Sequence, residues 1–361
     1  MSFSATLRAV VVEATVALAV LVAIAAATAL LLLAGGFPVG AGIGALWSGA
    51  IGSWYAFTSA TLVRAIPLMF AGAAVAIAFR AGVFNIGAEG QLLVGAAGAT
   101  AVALAAQLQR WPSAIVIMLA LLIAAGAGAL WAGIAAILRI RFGVLEVIST
   151  IMLNFVALHA VSYLVRGPLQ EPTHVYPQSR EVVDRLHLPR IAGAGRLHLG
   201  LLIAVLLLAV LGWIMRRTAI GFRIVATGDN PAAAESAGGI DVSRTTKRAF
   251  MVSGALAGLA GGVEVLGVTF ALYENISPGY GYTAIAVALL ASLDPWRVAA
   301  SALLFGALEA GAGAMQRDAG VPSSLVSVIE ALLIIVIVAA QAIRLRRSAN
   351  APGADTTPAH A

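Results

Sequence analysis

Four charged side chains and three amides stand within or beside long apolar stretches of this sequence: Arg64, Glu89, Glu146 and Glu264, with Asn85, Gln91 and Asn154. A charge at bilayer depth is costly, so it is retained there for binding, relay or specific pairing. The densest group is Arg80-Ala81-Gly82-Val83-Phe84-Asn85-Ile86-Gly87-Ala88-Glu89-Gly90-Gln91. Its glycines interrupt a helix, and Asn, Glu and Gln place donors and acceptors around the interruption. Transporters build polar sites inside membranes from such broken helices. The structural alternative is that Glu89 pairs with Arg64 or Arg80 and merely holds helices together. The residues alone leave both open.

Other chemistries are excluded more firmly. A Walker A loop needs a Gly-Lys-Ser/Thr step to hold phosphates, and the single lysine, Lys247, lies between Thr246 and Arg248. Neither a His-Glu-x-x-His motif nor a Gly-x-Ser-x-Gly elbow occurs. His174, His187 and His198 match no metal-ligand spacing, and with no cysteine there is no disulfide, thiolate or Cys-ligated metal. The sequence calls for no catalytic residue, metal or cofactor.

The elements that must position the polar residues are membrane spans. Of 361 residues, 61% are hydrophobic and 11% charged, with a mean hydropathy of +0.98. Soluble domains run at about 45–50% apolar and about 25% charged, so a soluble enzyme or nucleic-acid binder is excluded despite the net charge of +6. Gaps between charges give ten expected spans, an all-α polytopic bundle: 10–34, 54–79, 87–107, 114–137, 144–166, 198–215, 248–271, 279–294, 296–314 and 323–343. With both termini inside, 14 of the 22 Lys and Arg fall on the inside, as the positive-inside rule requires. Residues 1–347 read as one transmembrane domain and 348–361 as a disordered cytoplasmic tail. An external loop spans 167–197 and an inside loop 216–247. Within the latter, Asp229 or Asn230 can cap a short helix, Pro231 suits its first position, and Gly238 can end it. The Gly254-xxx-Gly258-xxx-Gly262 ridge reads as close helix packing.

Four stretches taken together resemble a family. FNIGAEGQ at 84–91 is similar to the signature of permease subunits of bacterial ABC importers in the nucleoside and simple-sugar branch, which work with binding proteins of the basic-membrane-protein type. EVISTIMLNF at 146–155, GDNPAAAESAGGI at 228–240 with SGALAGLAGG at 253–262, and GYGYTAIAVALL at 279–290 with AMQRDAGVPS at 314–323 follow in order. The resemblance therefore covers roughly 60–340. Ribose-type and branched-chain amino acid permeases are its wider superfamily. Two stretches depart from the pattern: Leu145 before Glu146, and Thr283-Ala284 after the aromatic.

The resemblance implies a multi-pass inner-membrane permease that carries nucleosides or simple sugars. Separate ATPase subunits would bind its cytoplasmic face, with a second permease, identical or paralogous, and an extracytoplasmic binding protein. It implies a substrate pathway at Phe84, Asn85, Glu89, Gln91, Glu146 and Asn154. There Phe84 can stack on a heterocycle, and Asn85, Glu89 and Gln91 can bond to base or ribose groups. Coupling to the ATPase falls to Gly228, Asn230, Ala233 and Gly238. The alternative is an ion-coupled carrier using Glu89 and Glu264.

Overall fold

The structure, a computed structural model, describes residues 22, 25–105, 110–191, 193 and 195–322, with 324, 325, 327, 328, 331, 332, 335 and 339 beyond them. The expected tail 348–361 and much of the spans 10–34 and 323–343 lie outside the described residues. The chain divides into two compact units, residues 1–47 with 311–361, and residues 48–310.

In the first unit, helix α1 (Ala25–Ala34) turns through Gly35 and Gly36 into α2 (Val39–Ala50). The Phe37 amide donates to the Leu32 carbonyl at 2.8 Å, which closes the turn. Leu32 is fully buried and lies over Gly42.

The second unit carries α3 (Trp54–Arg80), α4 (Ala88–Leu104), α5 (Ser113–Phe142), α6 (Glu146–Arg166) and α7 (Gly200–Arg217). Two helices of the inside loop follow, α8 (Ala219–Asp229) and α9 (Pro231–Gly238), and then α10 (Val242–Thr269) and α11 (Tyr280–Leu290). The last described helix, α12 (Pro295–Asp318), ends in residues of the first unit. Helices α3, α5, α6, α7, α10 and α12 are long and apolar enough to cross a membrane. This is a helical membrane protein. At 1.5 Å per residue, the 11 residues of α11 rise only ~16 Å, about half of a ~30 Å hydrocarbon core.

The bundle is organised around α10, which packs against α3, α4 and α5. The apolar windows of α3 and α10 are 83% and 78% buried, against 22% for α5 and α7, so the first pair is central and the second peripheral. Contact between backbones explains the glycine ridge. A Cβ added at Gly254 would stand 2.3 Å from the Gly128 carbonyl, and one at Gly258 would stand 2.2 Å from that of Ala124. Gly261 adds a second row, 2.0 Å from the Leu92 carbonyl of α4. Lipid tails are as apolar as leucine, so packing this close, rather than escape from water, holds such helices together.

The inside loop folds as two helices where the sequence signals predict one. Thr218 caps α8 by accepting from the Gly221 amide at 3.3 Å, and Asn230 caps α9 by accepting from the Ala233 amide at 3.0 Å. The residue that ends α9 is Gly239, at φ 57°, one position beyond the expected Gly238. A left-handed C-cap falls just outside the last helical turn, and Gly238 still belongs to that turn.

Candidate functional site

The break in the sequence is a break in the structure. Helix α3 stops where Gly82 adopts φ 70°, with the Gly82 amide bonded to the Phe79 carbonyl and the Val83 amide to that of Ala78. This is a Schellman stop, and a side chain at Gly82 would be strained. The chain then crosses through residues 83–87 and restarts as α4. Ala81 and Val83 pack with Ala135, Ala136, Ala249 and Phe250, so an apolar seal anchors the crossing.

A helix that starts on glycine has no cap of its own, and its first amides need acceptors. The polar residues supply them. Asn85 Oδ1 accepts from the Gly87 amide at 3.0 Å, and Asn154 Oδ1, reaching across from α6, accepts from the Gly90 amide at 2.8 Å. The Asn85 and Gln91 amides pair reciprocally at 3.0 Å, and Asn85 Nδ2 also donates to Ser253 Oγ at 2.8 Å. Asn154 Nδ2 donates to the Ile86 carbonyl at 2.9 Å and to the Tyr282 hydroxyl at 3.3 Å. All three amides are buried. Ser253 lies 11 residues along α10 from Val242, so this cluster sits ~16 Å into that helix.

Helix α11 starts at the same place. A Cβ on Gly281 would stand 2.2 Å from the Glu89 nitrogen, so the first turns of α4 and α11 cross in backbone contact. The Glu89 carboxylate accepts from the Gly281 amide at 2.7 Å. Ser277 Oγ accepts from the Gly279 and Tyr280 amides at 3.1 and 3.0 Å. Two short helices thus begin back to back, each capped by side chains from outside itself. The 270–279 segment reaches this junction from the end of α6, where Glu274 meets Arg166 at 2.6 Å and Ser162 at 2.5 Å.

Glu89 pairs with neither arginine that the sequence offered it. Arg80 donates to the Ser292 and Leu293 carbonyls at 3.1 and 3.3 Å, closing the far end of α11, and Arg64 donates to the Ala60 carbonyl at 3.5 Å. Glu146 opens α6 and pairs with Arg139 at 2.7 Å, while also accepting from the Phe84 amide at 3.4 Å. It stands at a helix end, not mid-span. Glu264 is buried in α10 where its π-helical turn Val265–Thr269 begins.

The open side of the junction is aromatic. Phe84 is 53% exposed, with Phe79 edge-on at 5.2 Å, and Tyr282 is 46% exposed. Tyr282 was not singled out from the sequence; the GYGY repeat carried the signal, since a glycine between two aromatics fits a close crossing. Among the residues expected to couple to an ATPase, Gly228 closes α8 directly on the break. A Cβ there would stand 2.1 Å from the Arg80 carbonyl and 2.9 Å from the Gly82 nitrogen. Ala233 is exposed, and both its helix caps are in place.

Comparison with known proteins bears on what such a junction does. Residues 57–338 match the family described as branched-chain amino acid transport system / permease component. The guanosine ABC transporter permease protein NupP of Bacillus subtilis is 39% identical over 88% of this chain and 91% of its own. A glucose ABC transporter permease protein of Haloferax volcanii is 40% identical over 78% of this chain and 75% of its own. The nucleoside ABC transporter permease protein NupB of Lactococcus lactis is 33% identical over 76% and 77%. No solved structure matches. These relatives favour the importer permease over an ion-coupled carrier built on Glu89 and Glu264. The chain is a multi-pass helical membrane protein and belongs to the branched-chain amino acid transport system / permease component family.

Proposed function

We propose that this chain is the membrane subunit of a bacterial inner-membrane ABC importer for nucleosides, with simple sugars the second cargo class. The observation that carries the cargo is the aromatic opening over the α4–α11 junction. Phe84 and Tyr282 present ring faces and edges that suit a flat heterocycle. Sugars lack that face. Two of the relatives carry guanosine and nucleosides by name, and the glucose permease among them keeps sugars as the second class. On this reading Asn85, Gln91, Asn154 and the buried Glu89 hold the break in shape, and cargo meets Phe84 and Tyr282 with Glu146 beside them.

The remaining parts are proposed with it. Residues 1–347 form one permease domain with ten passes, both termini inside, and 348–361 a cytoplasmic tail. The 270–279 segment and α11 together make one pass. A second permease completes the pathway, a binding protein delivers cargo near 167–197, and separate ATPase subunits hydrolyse ATP. Helix α9 seats in the ATPase, and α8 carries its movement to the break through the Gly228–Gly82 contact.

The test is uptake by the assembled transporter in vesicles, with labelled guanosine, uridine, ribose and glucose. Nucleoside uptake that needs ATP and an intact ATPase site is the expected result, with no ATP hydrolysis by this chain alone. Sugar uptake without nucleoside uptake would reverse the cargo assignment. Uptake that survives loss of the ATPase site would overturn the importer.

A further inference from the structure

A cavity of about 770 Å3 lies where the ends of α7 and α9 meet α3, α8 and the start of α10, and Ala249 in its wall belongs also to the apolar seal under the break. Its walls are aliphatic, with Ile77, Leu211, Ile214 and Met251 among them. Its rim is cationic: Arg223, Arg244 and Arg248 line it, against the single acid Asp241. Asp241 is already engaged, since it caps α10 through the Arg244 amide at 2.8 Å and lies 3.5 Å from Arg244 Nε. Among the described residues, Arg223 and Arg248 have no carboxylate within ion-pair reach.

The cavity continues a face that apolar solvent must cover. Helix α7 exposes Leu202, Leu206, Val210 and Trp213, and the cavity opens beside its last turns, where its own Arg216 and Arg217 begin. An apolar slot ending in three arginines at the end of a span matches the two halves of a phospholipid, an acyl chain and an anionic phosphate. A soluble phosphate would leave the aliphatic walls empty, and an uncharged lipid would leave the arginines unanswered.

We propose that this cavity seats one anionic diacyl phospholipid, its acyl chain along Ile77, Leu211, Ile214 and Met251 and its phosphate on Arg223, Arg244 and Arg248. The site depends on the chain being embedded in a membrane and not on its cargo, so lipid retention and transport are read separately.

The full chain is extracted from vesicles of equal parts phosphatidylglycerol and phosphatidylcholine, and retained lipid is measured by native mass spectrometry. One phosphatidylglycerol should be held in preference to phosphatidylcholine. Neutralising the rim (Arg223→Gln, Arg244→Gln, Arg248→Gln), all at exposed positions, should lower that preference about tenfold or more. Met251→Trp keeps every arginine but fills the slot, and should also expel the lipid. Glycerol 3-phosphate, a head group without chains, should not compete. Equal retention of both lipids, an unaffected rim variant, an unaffected Met251→Trp variant or displacement by glycerol 3-phosphate would each overturn the site. So would a photocrosslinker at Met251 that captures the ATPase in the assembled transporter instead of lipid.

Discussion

The α4–α11 junction and the α8–α9 pair solve the same problem in opposite ways. Both begin short helices whose first amides have no partner within the helix. At the junction the local acceptors Asn85 and Ser277 are joined by two from distant parts of the sequence: Asn154 lies 64 residues from Gly90, and Glu89 lies 192 residues from Gly281. In the inside loop they come from next door, with Thr218 and Asn230 each capping its own helix three residues on. Long-range caps make the junction a consequence of the whole bundle. Local caps let α9 keep its shape while its outer face stays free. On the proposed function, the first arrangement suits a region that holds a pathway open, and the second one that a partner grips.

The largest effect expected from disturbing this contrast is at Gly281. Valine there would drive its Cβ to within 2.2 Å of the Glu89 backbone nitrogen, and backbone in a first helical turn has little room to yield. Gly281→Val should separate α11 from α4, cost more than the ~1–3 kcal/mol of ordinary overpacking, and leave little folded protein after detergent extraction. Accumulation at the wild-type level with unchanged melting would mean that the crossing is not a close one.

Asn85→Ala comes next. It removes the partner of Gln91, Ser253 and the Gly87 amide together. An orphaned buried donor or acceptor costs about 1–3 kcal/mol, so the melting temperature should fall clearly. Asn85→Ser, whose hydroxyl can accept from the Gly87 amide two residues on without burying a charge, should fall less in melting than the alanine variant if capping is the main role. If Asn85→Ala melts normally but loses uptake, the amide serves cargo and the junction is less rigid than its hydrogen bonds imply.

The same contrast explains what the sequence disclosed. Spans showed as gaps between charges, and α9 as Asn-Pro followed by alanines, because those signals are local. The break at 81–91 showed through its glycines. What stayed hidden was the pairing across it. Nothing near Glu89 in the sequence points to Gly281, and the arginines nearest in sequence were the more obvious partners. The brevity of α11 was masked by the apolar residues on either side of it, since hydropathy does not register where a helix begins. Helix α8 was missed because its sequence, AIGFRIVATGD, is weakly helical and holds its place through tertiary contact, including glycines at 221 and 228.

A smaller effect belongs to the local cap. Asn230→Ala should cost about 1 kcal/mol, confined to α9. Amide exchange of residues 231–238 should quicken while the melting of the bundle is unchanged. A change in global melting would show that α9 is part of the packed core after all, and the distinction between the two regions would fail.

The smallest effect on stability is expected where the effect on coupling is greatest. Ala233 is exposed on α9, so Ala233→Trp should leave extraction and melting as they are. If α9 seats in a groove of the ATPase, indole is too large for the space an alanine vacates, and overpacking of ~1–3 kcal/mol should weaken association or break the link between hydrolysis and uptake. If α9 lies instead on the membrane surface, tryptophan is favoured there, since its ring suits the interface. The two outcomes differ in sign. Loss of ATPase co-purification, or hydrolysis that no longer responds to cargo, supports the coupling role. Normal co-purification with normal cargo-stimulated uptake would assign α9 to the lipid surface and leave α8, through Gly228, as the contact by which the ATPase must reach the break.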